Sequence, residues 1–262
     1  MKHLILLIAL STLTLTAAEK NSPNISTEKI FNGKDLNNWS GYRDVWTVDD
    51  GTILADTSKQ EDMQTNWLIW NDDLPDSYEV SYQYKFLTEV VNAGVQYNAV
   101  IGNPKTFKVK GFQADLADSG RLPGALYVHG GLGVLGLRGS QIEIKDSQSN
   151  ITKEFNVPED FQAGTKKGEW ATYRIIYYKN RALHIINDWL MMDIHVIDMD
   201  PELVGRKLAF QIHRAPKSPM KIQFKDIELR DLTELSEQEE QAYFKELSLQ
   251  LKNISSLTPL KE

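Results

Sequence analysis

The sequence contains no cysteine among its 262 residues. Disulfide bonds, thiolate nucleophiles and cysteine-ligated metal sites are therefore excluded. Two other chemical signatures are also missing. No histidine pair has H-x-H or H-E-x-x-H spacing, and no G-x-S-x-G segment marks a serine nucleophile. The sequence thus identifies neither a metal-ligand set nor a nucleophilic triad.

The sequence has fewer positively than negatively charged residues. Lys and Arg total 29 against 36 Asp and Glu, which gives a net charge of -7 at pH 7. Proteins that bind nucleic acid contact phosphates through clustered Lys and Arg side chains. A nucleic-acid partner is therefore not expected.

Long apolar runs are absent outside the N-terminus. There, a basic start, an apolar run from Leu4 to Leu15 and a small residue at Ala18 form the layout of a secretory signal peptide over residues 1–18. The run is shorter than the ~20 residues that a membrane-spanning helix needs. We expect a periplasmic or secreted protein with no membrane span, in which residues 19–29 form a polar linker.

Alternation of apolar and polar residues dominates residues 30–232. It is clearest over 77–86, where Tyr78, Tyr82 and Tyr84 share one face of a predicted half-buried strand. Further strands are predicted at 94–101, 107–116, 124–129, 141–145, 172–179, 182–187, 207–213 and 221–230. Many short strands separated by turn residues predict an all-β sandwich over this range.

The tail, residues 233–262, has a different pattern. Ser236 and Glu239 have the spacing of a capping box, and apolar residues from Phe244 to Ile254 recur at helical intervals. A C-terminal α-helix is predicted. It either docks on the sandwich or binds a partner, and the sequence leaves both alternatives open.

A G-x-G-x-x-G segment, "GLGVLG", spans Gly131–Gly136. A dinucleotide fingerprint requires a helix directly after it. Here Ile142 and Ile144 alternate with polar residues, which predicts another strand. The glycines are therefore expected to form a loop and not a phosphate cradle.

Three predicted strands carry two polar residues each at positions i and i+2, namely Gln96 with Asn98, Gln113 with Asp115, and Gln211 with His213. The period of a strand places each pair on one face of its sheet. These short hydrogen-bonding groups suit sugar hydroxyls. On neighbouring strands, Asp115 and His213 would form an acid–base pair. A merely solvated sheet face gives the same alternation, so that alternative stays open.

Three further residues are candidates. His129 ends a predicted strand beside the glycines. Arg138, between Gly136 and Gly139, either aims its guanidinium at a ligand oxyanion or is an arginine on the loop surface. His184 is either a buried structural histidine or a ligand contact. His195 is expected to be structural or at the surface.

Nine segments occur in a familiar order, namely "IFNGKDLNNWS", "WTVDDGTIL", "NAGVQYNA", "GFQADLAD", "GALY", "GEWATYRI", "HIIND", "LAFQIHRAP" and "IQFKDIELR". Together they resemble the 3-keto-disaccharide hydrolase family over about residues 28–232. The resemblance implies a concanavalin/LamG-like jelly roll in a secreted or periplasmic protein. It also implies a 3-keto-glycoside substrate, already oxidised at C3 by a separate sugar oxidoreductase. A base would remove the C2 proton, the C1 oxygen would leave by β-elimination, and water would then add.

The residues that match family-like positions are Gln96, Gln113, Asp115, Tyr127, Gln211 and His213. Our hypothesis for their roles is that Asp115 or His213 is the base. Gln113 and Gln211 would bind hydroxyls or the ketone, and Arg138 would support charge. It also allows a divalent cation that polarises the ketone, but no ligands can be identified for one.

His184 matches a strand–turn segment of the family and is included among the substrate-binding candidates. The chain departs from the family pattern at two places. Asn98 stands where relatives often carry Arg, and His129 stands near a position that is often acidic. We nevertheless include Asn98 as a substrate-binding candidate and His129 as a catalytic candidate. Taken together, the sequence predicts a carbohydrate-active hydrolase or lyase. The alternative is a carbohydrate-binding module that uses the same sheet face without turnover.

Overall fold

The computed structural model describes residues 25–59, 65–117, 120–158, 161, 166–213 and 218–253. The predicted signal peptide lies outside these residues. The described strands are β1 (Thr27–Lys29), β2 (Trp39–Ser40), β3 (Trp46–Asp49), β4 (Thr52–Asp56), β5 (Asn66–Trp70), β6 (Tyr78–Phe86), β7 (Ala93–Asn103), β8 (Lys108–Asp115), β9 (Leu126–His129), β10 (Gly133–Gly136), β11 (Ser140–Lys145), β12 (Gln148–Glu154), β13 (Trp170–Tyr178), β14 (Arg181–Ile186), β15 (Trp189–Val196), β16 (Lys207–Ile212) and β17 (Lys221–Asp231). The described residues also include an α-helix, α1 (Glu237–Gln250), and a 3-10 turn over Pro201–Leu203.

The strands form two sheets that pack face to face. The ten-stranded sheet has the order β12-β11-β15-β14-β13-β6-β17-β4-β3, with β1 paired to β17. The seven-stranded sheet has the order β10-β9-β8-β7-β16-β5-β2. The predicted all-β sandwich with a C-terminal helix is confirmed. Because β1 pairs with β17, the end of the predicted linker belongs to the sheet.

The core lies between the two sheets, and β6 shows why the sequence folds this way. Tyr78, Val80, Tyr82, Tyr84 and Phe86 are each at most 2% exposed, as the alternation predicts. The ring of Tyr82 stacks on Tyr173 of β13 at 5.4 Å between centroids. Loss of one such ring costs about 3–5 kcal/mol, so this strand anchors the sandwich.

Helix α1 docks on the outer face of the ten-stranded sheet. The capping box is present, with the hydroxyl of Ser236 accepting from the backbone N–H of Glu239. Tyr243 and Leu247 are buried in a cluster with β13, β14 and β15, and the Tyr243 hydroxyl donates to Glu79 at 2.7 Å. The helix therefore follows the docked alternative, since its apolar side is already covered.

The glycine segment is a β-hairpin. Strand β9 leads through Gly130 and Gly131, both at positive φ, into β10, and the two strands pair antiparallel. A Cβ at Gly136 would meet the Cε of Met192 and the side chain of Ile142, so the hairpin packs closely on the ten-stranded sheet there. The predicted loop is therefore limited to the turn, because Gly133–Gly136 form strand β10. As expected, a strand and not a helix follows.

Candidate functional site

The candidate site lies on the outward face of the seven-stranded sheet, opposite the core. Strand pairing aligns Gln211 of β16 with Gly94 of β7, and Gly94 with Asp115 of β8. The next row aligns Gln96 with Gln113. Because directly paired residues point to the same side of a sheet, these side chains share one face.

This face is strongly curved. Cα atoms of β5 and β8 come within 8 Å of each other although two strands lie between them. A flat sheet would separate them by roughly 14 Å at ~4.8 Å per strand. The ring of Trp67 on β5 consequently lies 5.7 Å from the ring of His129 on β9. We call this surface, which carries Trp67, Gln96, Gln113, Asp115 and Gln211, the concave face.

Amide side chains line the concave face. Oε1 of Gln113 accepts a hydrogen bond from Nε2 of His129 at 2.9 Å and a longer one from Nε2 of Gln96 at 3.4 Å. Gly94 makes room for this arrangement, because a Cβ there would lie 2.5 Å from the Gln113 side chain.

Three buried polar atoms on this face have no hydrogen-bond partner among the described residues. They are Oε1 of Gln96, Oε1 of Gln211 and Nε1 of Trp67. Buried polar groups are nearly always paired, so each unpaired atom requires an explanation. Two acceptors and one donor on one concave surface are the groups that hydroxyls would satisfy.

Asp115 is the buried carboxyl of this face, with 6% of its surface exposed. Burial raises its pKa to about 7 from the ordinary value of 3.8, against hydrogen bonds from the backbone N–H groups of Ala117 and Leu116. A carboxyl with this pKa is about half ionised at neutral pH and is able to exchange protons there.

The two histidines of the site lie close enough to interact. Burial, and secondarily electrostatic interaction with His213, lowers the pKa of His129 to about 4, so the His129 imidazole is neutral at pH 7. His213 is half-buried and directly follows β16, where its backbone N–H donates to the Asn92 carbonyl at 2.9 Å. The half-buried ring of Tyr127 lies 4.7 Å from the His129 ring.

Asn98 does not join the site, contrary to the expectation from its i, i+2 spacing. The pairing of β7 shifts after Tyr97, and Asn98 has φ 46, so a bulge turns its side chain inward. There its Oδ1 accepts from the Tyr78 hydroxyl at 2.9 Å. The predicted substrate contact is replaced by a hydrogen bond between the sheets.

Arg138 also lies elsewhere than expected. Its side chain is buried, its guanidinium lies 4.3 Å from the Phe161 ring centroid, and Nη1 donates to the Gly120 carbonyl at 3.0 Å. These contacts fix the loop after β10. The expectation that Arg138 points at a ligand oxyanion is therefore wrong.

His184 lies inside the sandwich and not on the concave face. It is 0% exposed and contacts the Gly124 carbonyl and the Tyr97 hydroxyl. Both ring nitrogens are already bonded between the sheets, so His184 has no group left to contact a substrate and the predicted binding role is corrected. Trp67 is the residue of this face that the sequence prediction missed, although Trp beside polar strands is typical of sugar sites.

A family model described as a 3-keto-alpha-glucoside-1,2-lyase-like domain matches residues 26–230. The chain belongs to this family. A comparison with curated proteins finds no match.

Solved structures with the same fold support the architecture of this family member. A protein from Parabacteroides distasonis, named as a candidate glycosyl hydrolase, is 18% identical with a TM-score of 0.52, covering 79% of this chain and 94% of its own. A Bacillus subtilis protein of unknown function with a galectin-like fold is 12% identical with a TM-score of 0.53, with the same coverage. At such identities the likeness shows the fold alone, a two-sheet sandwich of the jelly-roll type.

No metal-ligand set is identified among the described residues of the concave face. Among the described residues no group of three or more His, Asp or Glu side chains is placed to hold an ion. We derive no chemical step through a metal. In the same part of the chain, no helix is long and apolar enough to cross a membrane.

A cavity of about 280 Å³ lies at the edge of the sandwich, away from the concave face. Glu28, Asp72, Asp73 and Trp70 contribute to its lining, and Asp73 forms an ion pair with Lys207 at 2.8 Å. Its lining contains no histidine. The concave face is the better candidate because it combines a buried carboxyl with buried polar atoms that have no partner among the described residues.

Proposed function

We propose that this protein cleaves 3-keto-glycosides on the concave face. The observation that carries the proposal is Asp115, a buried carboxyl with its pKa raised to about 7, set among amides with unpaired buried atoms. Membership of a family described by a 3-keto-alpha-glucoside-1,2-lyase-like domain supports the substrate class.

In the proposed reaction the Asp115 carboxylate removes the proton from C2, which the neighbouring C3 ketone acidifies. The C2–H electron pair forms an enolate. It then expels the glycosidic oxygen from C1 and leaves an unsaturated 3-keto sugar. The departing oxygen takes a proton from His213, whose imidazole lies at the edge of the same face. Water adds at C1 while C2 regains a proton, so the net result is hydrolysis.

The other residues of the concave face bind and orient the sugar. The amides of Gln96 and Gln211 and the indole N–H of Trp67 hydrogen-bond to hydroxyls or to the ketone oxygen. His129 stays neutral and donates to Gln113, which fixes that amide. Tyr127 flanks His129 at the edge of the face.

A second candidate function is carbohydrate binding without turnover. The unpaired amide atoms and Trp67 favour it, because they bind hydroxyls whether or not a proton is transferred. The departures from the family pattern at Asn98 and His129 also favour binding without turnover. The raised pKa of Asp115 favours the enzyme, since a binding site gains little from a carboxyl that is half neutral at pH 7.

Three finer expectations belong to the same proposal. We propose a concanavalin/LamG-like form of the jelly roll and export to the periplasm or beyond. A glycoside oxidised at C3 also implies a separate sugar 3-oxidoreductase that supplies it.

The test is incubation of the purified protein with 3-keto-trehalose and 3-keto-β-glucosides. We expect the unsaturated keto sugar and the free leaving group. If no keto-glycoside of the panel turns over while unoxidised glycans bind, the carbohydrate-binding alternative replaces the enzyme.

A further inference from the structure

His184 links the two sheets through hydrogen bonds at both ring nitrogens. It belongs to β14 of the ten-stranded sheet, and its Nε2 lies 2.9 Å from the hydroxyl of Tyr97 on β7. Its Nδ1 lies 3.0 Å from the carbonyl of Gly124, just before β9. The residue is 0% exposed, so both contacts are shielded from water.

The direction of these bonds follows from chemistry. A carbonyl oxygen only accepts, so Nδ1 carries the proton and donates to Gly124. Nε2 is then the acceptor for the Tyr97 hydroxyl. Burial lowers the pKa of His184 to about 4, which keeps the ring neutral in this one tautomer.

The segment that His184 holds is bonded to Asp115. Both bonds involve the backbone of Asp115. The N–H of Gly124 donates to the backbone carbonyl of Asp115 at 3.0 Å, and the backbone N–H of Asp115 donates to the carbonyl of Ala125 at 3.1 Å. Gly124 has φ 81, and a Cβ there would lie 2.4 Å from the Cβ of Met191 on β15. The segment is therefore clamped between the opposite sheet and the end of β8.

We propose that His184 is a positioning residue, which holds the Gly124–Ala125 segment so that the carboxyl of Asp115 stays shielded from water. The inference rests on the proposed function, in which Asp115 is the base. It assigns His184 a role in the reaction without contact to the substrate.

The test is titration of the Asp115 carboxyl by NMR in the full-length protein and three variants. His184→Leu removes both hydrogen bonds and admits water, so the pKa of Asp115 is expected to fall by at least about one unit toward 3.8. His184→Gln can donate to Gly124 and accept from Tyr97, and is expected to retain most of the raised pKa. Tyr97→Phe leaves Nε2 without its donor and is expected to cause a smaller fall. Tyr97→Phe decides the question should His184→Leu fail to fold.

Tyr78→Phe is the matched control. It also removes one buried tyrosine hydroxyl that bonds between the sheets, to Asn98, but that bond does not lead to Gly124. We expect it to leave the Asp115 titration unchanged. An unchanged Asp115 pKa in both His184→Leu and Tyr97→Phe, or an equal fall in Tyr78→Phe, overturns the proposal.

This titration requires no substrate, so its failure is distinct from the absence of turnover. Where turnover is observed, His184→Leu is expected to lower kcat and to shift the acid side of the pH profile, with KM nearly unchanged. A rise in KM alone would instead indicate damage to substrate binding and contradict the positioning role.

Discussion

The rings of Trp67 and His129 lie 5.7 Å apart although three strands separate them in the seven-stranded sheet. This contact spans the concave face and shields the histidine from water. Trp67→Leu is therefore expected to raise the pKa of His129 from about 4 toward 6.5, which NMR titration of the imidazole would report.

Trp39→Leu is the control for that experiment. Trp39 is an equally buried indole of the same sheet, but its ring contacts Phe210 in the core between the sheets. It is expected to lower stability without moving the His129 titration. A His129 pKa that stays near 4 in Trp67→Leu would show that other groups bury it.

Asp115→Asn is expected to stabilise the fold at neutral and alkaline pH. The folded carboxyl titrates near 7 and the unfolded one near 3.8, so the folded state binds more protons between these values. The contribution of Asp115 to the stability of the wild type consequently falls as pH rises from about 4 to 7. Asn avoids this loss, so the stability advantage of Asp115→Asn over the wild type should grow through that window by about 4 kcal/mol.

Chemical denaturation of both proteins at pH 4, 6 and 8 measures this difference. Since both chains carry His129, the opposite pH dependence of that residue cancels in the comparison. A constant difference at all three pH values would contradict a raised Asp115 pKa.

Gln211→Met is expected to maintain or raise stability by ~1 kcal/mol while weakening binding of the sugar. The Oε1 of Gln211 has no partner among the described residues, so removing it relieves an unmet desolvation cost. Gln141→Met is the contrasting control, because its amide donates to buried Asp193 at 2.9 Å and its loss should cost ~1–3 kcal/mol. Thermal unfolding and sugar titration measure both effects. A loss of stability in Gln211→Met equal to that in Gln141→Met would indicate a structural role for both amides.

His213→Ala is expected to slow turnover by at least ~10²-fold if His213 protonates the leaving group. The defect should shrink for glycosides whose leaving groups are good enough to depart without a proton, such as nitrophenols. Rates on a series of leaving groups measure this. An equal defect across the series would place His213 in binding and not in acid catalysis.

The sequence predicted those features that depend on one strand or helix alone. Strand β6 and the capping box of α1 are examples, because alternation and spacing are visible within each segment. The sequence also predicted that Gln96, Gln113, Asp115 and Gln211 share one face of a sheet, because side chains alternate between the two faces along a strand.

The predictions were wrong where the face to which a side chain points depends on another part of the chain. The bulge that turns Asn98 inward is an irregularity in pairing with β8, and nothing in "QYNA" marks it. Strand β14 is buried on both faces, so alternation could not show that His184 points into the core. Strand β5 is also buried throughout, so its sequence shows no alternation, and neither the strand nor Trp67 was predicted.

The most direct test of proton abstraction at C2 is turnover of a 3-keto-glycoside in D₂O by the wild type and by Asp115→Asn. The proposed path removes the C2 hydrogen before the C1 bond breaks, so the early product should carry deuterium at C2. The deuterium content at C2 should exceed that from spontaneous exchange of the free keto sugar. Turnover by Asp115→Asn should be at least ~10²-fold slower than by the wild type. Released sugar that keeps its C2 hydrogen, or an Asp115→Asn variant as fast as the wild type, would contradict the mechanism.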